Sequence, residues 1–134
     1  MEKSLKFLDT HREGTFATSE GEQPRVRIFQ IMKRVGTTLY FATGKQKHVY
    51  NELLANPHIE FLSVSGNEFV RVCGQARFDV NDEVQREIYA DNPVLPRIYA
   101  DYQDLAYFSV PIEALEYFDL TPTPPVSRYF RLTP

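Results

Sequence analysis

Gly14-Thr15-Phe16-Ala17-Thr18-Ser19 reads as a strand, and Glu20-Gly21-Glu22-Gln23-Pro24 reads as a turn. Val26, Ile28, Ile31 and Met32 then mark a second strand. Gly36-Thr37 turns the chain into a third, Leu39-Tyr40-Phe41-Ala42-Thr43. Strands joined by short glycine-containing turns predict an antiparallel meander.

Upstream, Leu5 and Leu8 sit three apart in a short amphipathic helix over residues 3–8. Downstream, Val49, Leu53 and Leu54 share one face of a helix over residues 46–55. Asn56-Pro57 ends it, because a residue before proline avoids helical angles. Ile59 to Val64 reads as a strand, Ser65-Gly66-Asn67-Glu68 as a hairpin loop, and Phe69 to Phe78 as a long strand. In that strand Phe69, Arg71 and Cys73 alternate with Val70 and Val72. Asn81 or Asp82 caps a helix reaching about Ala90. Asn92-Pro93 and Pro96 interrupt it, and a short helix follows through Ile98 and Tyr99. Ala106–Ile112 and Ala114–Leu120 read as two closing strands. Thr121-Pro122-Thr123-Pro124-Pro125 opens a tail too proline-rich for a central strand. The order α-β-β-β-α-β-β-α-α-β-β lacks the alternation of a parallel sheet. A mainly β (α+β) fold is expected: a small antiparallel barrel with helices packed outside it.

The 134 residues fit one domain, 1–134, with 121–134 as its tail. At 43% hydrophobic and 25% charged, the composition is that of a globular protein. No run approaches the roughly 18 apolar residues of a membrane helix. Met1-Glu2-Lys3-Ser4 opens no signal peptide. The single cysteine, Cys73, forms no internal disulfide and no cysteine metal cluster. A cytoplasmic protein is expected. A net charge of −3 without long like-charged blocks argues against a nucleic-acid face.

Thr43-Gly44-Lys45-Gln46-Lys47-His48 joins a strand end to a helix start. Free N–H groups there attract anions. Yet Lys45, Lys47 and His48 crowd the same turn, and the first acid is Glu52. Positive charge at a helix N-terminus costs roughly 0.3–1 kcal/mol each. A bound phosphate would reverse that sign; simple solvation of both lysines is the competing reading. The glycine spacing of a P-loop is absent.

In Pro24-Arg25-Val26-Arg27-Ile28-Phe29-Gln30 the two arginines share a strand face with Phe29, and Gln30 interrupts the apolar row of Val26 and Ile28. An amide there suits a planar heterocycle; an edge strand facing water is the alternative. Phe69 either packs in the core or stacks on a cofactor ring. His11, His48 and His58 lack metal-ligand spacing. Cys73 lies mid-strand as a buried, inert residue. So few candidate acids, bases and nucleophiles imply either no chemistry or chemistry borrowed from a cofactor.

From Phe16 to Gly74 the chain resembles the pyridoxamine 5′-phosphate oxidase-related FMN-binding proteins, in particular their short bacterial, nitroimidazole-resistance-like branch. The matching segments are Phe16-Ala17-Thr18, Pro24 to Gln30, Leu39 to Gly44, Gln46-Lys47-His48-Val49-Tyr50, Leu53 with Asn56-Pro57, and Arg71-Val72-Cys73-Gly74. The resemblance implies an FMN-binding split β-barrel that dimerises with FMN at the subunit interface. It implies that Arg27 contacts the phosphate or ribityl chain, and that Ile28, Phe29 and Gln30 contact the ring. Ala42, Thr43 and Gly44 would hold the ribityl or phosphate region, Lys47 the phosphate with Lys45 and Gln46 beside it. Phe69 would reach the flavin from the partner subunit. The oxidase's C-terminal tryptophan and Arg-x-His element have no counterpart here, Arg131-Leu132-Thr133-Pro134 echoing that tail only faintly, and Met32 stands where the oxidase has a lysine. The expected activity is therefore that of an FMN-dependent oxidoreductase on a small molecule, with NAD(P)H a candidate donor, rather than the oxidase itself. The alternative is a non-catalytic flavin, deazaflavin or haem binder. Tyr99 and Tyr102 are candidates to line the substrate approach.

Overall fold

A computed structural model describes residues 1–132, and the expected meander opens it. β1 (Glu13–Glu20) pairs antiparallel with β2 (Gln23–Gln30) from Glu13↔Gln30 to Glu20↔Gln23. Ile31 and Met32, placed in the second strand by their apolar character, lie beyond it. Their N–H groups bond Arg12 O and Tyr40 O, each at 2.8 Å, and this crossing delivers the chain to β3 (Lys33–Val35). β4 (Thr38–Gly44), α2 (His48–Ala55), β5 (His58–Ser65) and β6 (Glu68–Gln75) follow, after α1 (Glu2–Thr10) at the start. α3 (Asp82–Asp91) is capped by Asn81, whose side chain accepts from Val84 N at 2.8 Å. α4 (Val94–Ile98) and a 3-10 turn (Tyr102–Asp104) lead to β7 (Leu105–Asp119), and β8 (Val126–Arg131) ends the fold.

Strand order is β2-β1-β5-β6-β7-β4-β3, with β8 on β7. β7 is one continuous strand, not the two expected. Its first half pairs with β4, Gly44↔Leu105 to Thr38↔Pro111, and its second half with β6, Gly74↔Ile112 to Glu68↔Asp119. Pro111 lacks an N–H but falls where the strand changes partners, so it interrupts neither ladder. The register shift between Cys73 and Gly74 supplies the bend. A Cβ on Gly74 would stand 2.5 Å from Pro111 O, so only glycine permits this approach. A strand shared in this way curls the sheet into a half-barrel, the split antiparallel barrel that the sequence predicts, flanked by four α-helices.

Two further boundaries differ from expectation. The long strand stops at Gln75, and Arg77 makes only an isolated bridge with Ser109. In the tail, residues 121–125 are irregular, but Val126–Arg131 pairs along β7 from Asp119↔Val126 to Ala114↔Arg131. An edge position asks for one ladder only, which the residues past the prolines can form. Thr133 and Pro134 lie outside the described residues.

Phe16, Phe41, Phe61 and Phe108 are fully buried and fill the half-barrel. Ring centroids are 5.1 Å apart for Phe16–Phe41 and 5.5 Å for Phe41–Phe61 and Phe41–Phe108. Such pairs contribute about 0.5–1.5 kcal/mol each beyond the area they bury. A second cluster, Ile88, Leu95, Leu105 and Tyr107, seats α3 and α4 on β7. The other sheet face is open. Pairing aligns Ile28, Thr15, Leu62, Arg71, Glu116 and Tyr129 in one row across it. Val26, Ala17, Glu60, Cys73, Ala114 and Arg131 form the next. Val26 is 66% exposed and Ile28 62%. Among the described residues no helix is long and apolar enough to cross a membrane.

Candidate cofactor site

β4 ends on Thr43-Gly44, and four residues later α2 begins. Lys47 occupies the N-cap in an extended conformation, and no side chain caps the helix. Its first turn holds no acid, while Lys45, Gln46, Lys47 and His48 are all exposed. The N-terminus therefore presents unsatisfied N–H groups and surplus positive charge together.

A cleft of about 250 Å³ opens beside this turn. Ile28, Phe29 and Gln30 of β2 form one wall, Ala42, Thr43 and Lys47 the end, and Leu95, Ile98 and Tyr99 the opposite wall. Thr43 is buried, and its Oγ1 is the one buried side-chain polar atom without a hydrogen-bond partner among the described residues. Gly44 is also closely surrounded. The point a Cβ would occupy lies 2.7 Å from Gln46 Oε1 and 2.9 Å from the Tyr99 hydroxyl. An orphaned hydroxyl, a lysine-flanked helix start and a slot walled by apolar side chains fit a phosphate-bearing planar group.

Of the residues singled out in the sequence, the fold brings Ile28, Phe29, Gln30, Ala42, Thr43 and Lys47 around this cleft, with Gly44 and Gln46 on its turn. Lys45 turns the other way. It lines a neighbouring cavity of about 450 Å³, and its Nζ donates to Gln103 O at 3.4 Å. Arg27 does not line the cleft. Its Nη1 donates to Phe16 O (3.0 Å) and Thr18 Oγ1 (2.9 Å), and its Nη2 to Glu52 Oε1 (2.8 Å). Thr18 Oγ1 donates to the same carboxylate oxygen at 2.6 Å. This clamp joins the β1–β2 ladder to α2. Phe69 is on the open sheet face, stacked on Phe118 at 4.9 Å with the Arg71 guanidinium 5.3 Å from its ring.

Tyr99 lines the cleft, whereas Tyr102 donates to Asp82 Oδ1 at 2.7 Å. That bond and one from Arg86 hold the Asp82 carboxyl below its ordinary range. Burial pushes the Tyr107 phenol upward, and its hydroxyl donates to Tyr102 O at 2.9 Å. Two contributors were not legible in sequence. Glu52 shows there only as the nearest acid, because its partner lies 25 residues away. The second is Leu95 on the α4 wall: the short helix and Tyr99 were expected, but Pro93 and Pro96 read as interruptions although Pro96 falls within the helix. The titratable side chains lining the cleft are Lys47 and Tyr99.

The sequence pattern of a family described as pyridoxamine 5′-phosphate oxidase matches residues 1–123. General stress protein 26 of Bacillus subtilis (strain 168) is 29% identical over 94 residues, and the match covers 66% of each chain. This chain thus spans just under two thirds of that curated relative. The crystal structure of General Stress Protein 26 from Bacillus anthracis superposes with a TM-score of 0.81 at 18% identity, covering 98% of this chain and 97% of that one. A nimC/nimA family protein from Clostridium acetobutylicum gives 0.77 at 24% identity, covering 98% and 92%. Both likenesses carry the fold.

Proposed function

Since the chain belongs to the pyridoxamine 5′-phosphate oxidase family, we propose that it binds FMN in this cleft and acts as a flavin-dependent oxidoreductase on a small molecule in the cytoplasm. The observation that carries this reading is the Thr43 hydroxyl, buried without a partner beside an uncapped, lysine-flanked helix start. Lys47 and the first-turn N–H groups hold the phosphate, and Thr43 donates to a phosphate or ribityl oxygen. Gln30 and the backbone of residues 28–30 serve the polar edge of the ring, against the apolar wall of Ile98 and Leu95. Gly44 and Gln46 shape the turn, and Ala42 leaves room beside it. Lys45 adds positive charge to the same turn, while Arg27, its charge matched by Glu52, braces β2 against α2. When bound, the flavin supplies hydride or electron transfer between a reduced donor such as NAD(P)H and a small acceptor. The protein's part is to bind, orient and exclude water.

The open sheet face supports a homodimer, with Phe69 of each copy offered to its partner's flavin. The second reading is a flavin carrier without catalysis, and anaerobic bleaching by NADH or NADPH separates enzyme from carrier.

Absorbance of the purified protein is the first test: two flavin bands are expected, and a colourless protein that ignores added FMN sinks the reading. Replacing Lys47 with Ala is expected to weaken FMN by about tenfold or more, the equivalent of one charge-assisted bond. Riboflavin, which lacks the phosphate, should bind both proteins alike. Equal FMN affinity in the two would place the phosphate elsewhere.

A further inference from the structure

The neighbouring cavity, about 450 Å³, is larger than the cleft and adjoins it. Leu105 lines both, and the turn Gly44–Lys47 divides them, with Lys47 on the cleft side and Lys45 on the other. A phosphate held at this turn would therefore stand at their junction.

Its lining has a definite chemistry. Lys45 makes no ion pair among the described residues; its one contact is the 3.4 Å bond to a backbone carbonyl. Asp82, at the rim, is already matched by Arg86 at 2.7 Å and by the Tyr102 hydroxyl at 2.7 Å. The unmatched charge is thus positive. Tyr50 and Phe78 form an edge-to-face pair, centroids 5.3 Å apart, and both rings remain partly exposed. Gln85 spends its amide N–H on Val80 O at 2.9 Å, leaving its carbonyl oxygen free to accept. Gln103 holds its N–H only weakly, 3.5 Å from the Tyr102 hydroxyl. An anion donor, an aromatic wall and two amide acceptors match a ligand with a phosphate, a planar base and N–H or O–H donors.

We propose that this cavity binds an adenosine phosphate group, continuous with the flavin phosphate at the turn, so that the cofactor preferred is the dinucleotide FAD. Lys45 takes the second phosphate, the Tyr50–Phe78 wall stacks on the base, and Gln85 and Gln103 accept from its amino group or the ribose hydroxyls. This rests on the flavin reading of the cleft. The same adenylate chemistry could arrive on a separate nucleotide, and the test distinguishes the two sources.

Titration calorimetry with FMN, FAD and AMP decides. FAD is expected to bind about tenfold or more tighter than FMN, the scale of one base stacked on an aromatic side chain. In Tyr50→Leu the FAD-to-FMN affinity ratio should collapse toward one. In Gln103→Ala, an exposed position that leaves folding undisturbed, the ratio should fall severalfold. If FAD and FMN bind alike but FMN-loaded protein takes up AMP, and Tyr50→Leu abolishes that uptake, the group comes from a separate nucleotide and the site stands. FMN bound no more weakly than FAD, with no AMP uptake, overturns the adenylate site and leaves the FMN cleft intact. Binding of no flavin at all overturns the cleft, and this inference with it.

Discussion

An unpaired hydroxyl in a protein interior costs about 1–3 kcal/mol, and a fold keeps one only where something compensates. Thr43 sits at the last turn of β4 before α2, so its side chain direction is fixed by the ladder with Ala106 on β7. Replacing it with Val keeps shape and β-branching while removing the oxygen. The ligand-free Thr43→Val protein should melt at the same temperature as the parent or slightly above it. FMN affinity should fall about tenfold, the value of one hydrogen bond made to a charged group. A variant that loses stability without flavin, yet binds FMN unchanged, would show that the hydroxyl serves the fold instead. Lys47 and Gln30 stood out in sequence because each breaks a local pattern, cations at a helix start and an amide in an apolar row, whereas Thr43 entered only through the family resemblance. Glu52 breaks none. An acid in mid-helix is ordinary, and only the approach of Arg27 and Thr18 from another element makes it a buried clamp.

At the scale of elements, hydrophobic period and turn residues located most strands and helices, and the departures share a cause. β7 is a single strand, β6 stops at Gln75 and β8 exists because each is defined by its neighbours and not by its own residues. The attachment of α1 shows the same dependence. Leu8 buries the helix against the core, and Asp9 fixes it to β3 by a two-pronged bond to Arg34, at 2.7 and 2.6 Å. Hydrogen bonding to Arg34 holds the Asp9 carboxyl below its ordinary value, with burial opposing. The unfolded chain thus takes up this proton at a higher pH than the folded one does. The pair's contribution is fully present above the ordinary carboxylate value of about 3.9 and is lost as pH falls through the depressed folded value. The carboxylate is partly exposed, so the contribution is about 0.5–1 kcal/mol. Urea unfolding of the parent and Asp9→Asn should differ by that amount at pH 7 and converge once pH has fallen through the depressed folded value. A gap that persists in acid would mean that Asp9 acts through packing.

For the whole molecule, the pairing of β1 with β5 and of β4 with β7 decides which residues share a surface, and no local pattern encodes it. Only once those registers are known do Val26, Ile28, Leu62, Val64 and Phe69 gather on one open face. A sheet face that exposes this many apolar side chains is seldom left to water in a monomer. Its polar residues are already arranged for self-association: Arg71 pairs with Glu116 at 2.7 Å in its centre, and Glu60 and Arg131 lie along the neighbouring row. A two-fold axis sets this face against a second copy of itself. Light scattering should therefore give twice the chain mass. Val26 is the place to test this, because at 66% exposure it contributes little to the isolated fold. Val26→Glu should shift stability by no more than about 0.5 kcal/mol. Across a dimer interface the same charge would be desolvated without a partner, a penalty of several kcal/mol. The variant should then run at the mass of one chain. FMN affinity should fall with it, since each cleft would lose the partner's Phe69. A parent protein that is itself monomeric, or a Val26→Glu dimer with unchanged FMN affinity, would move the interface off this face.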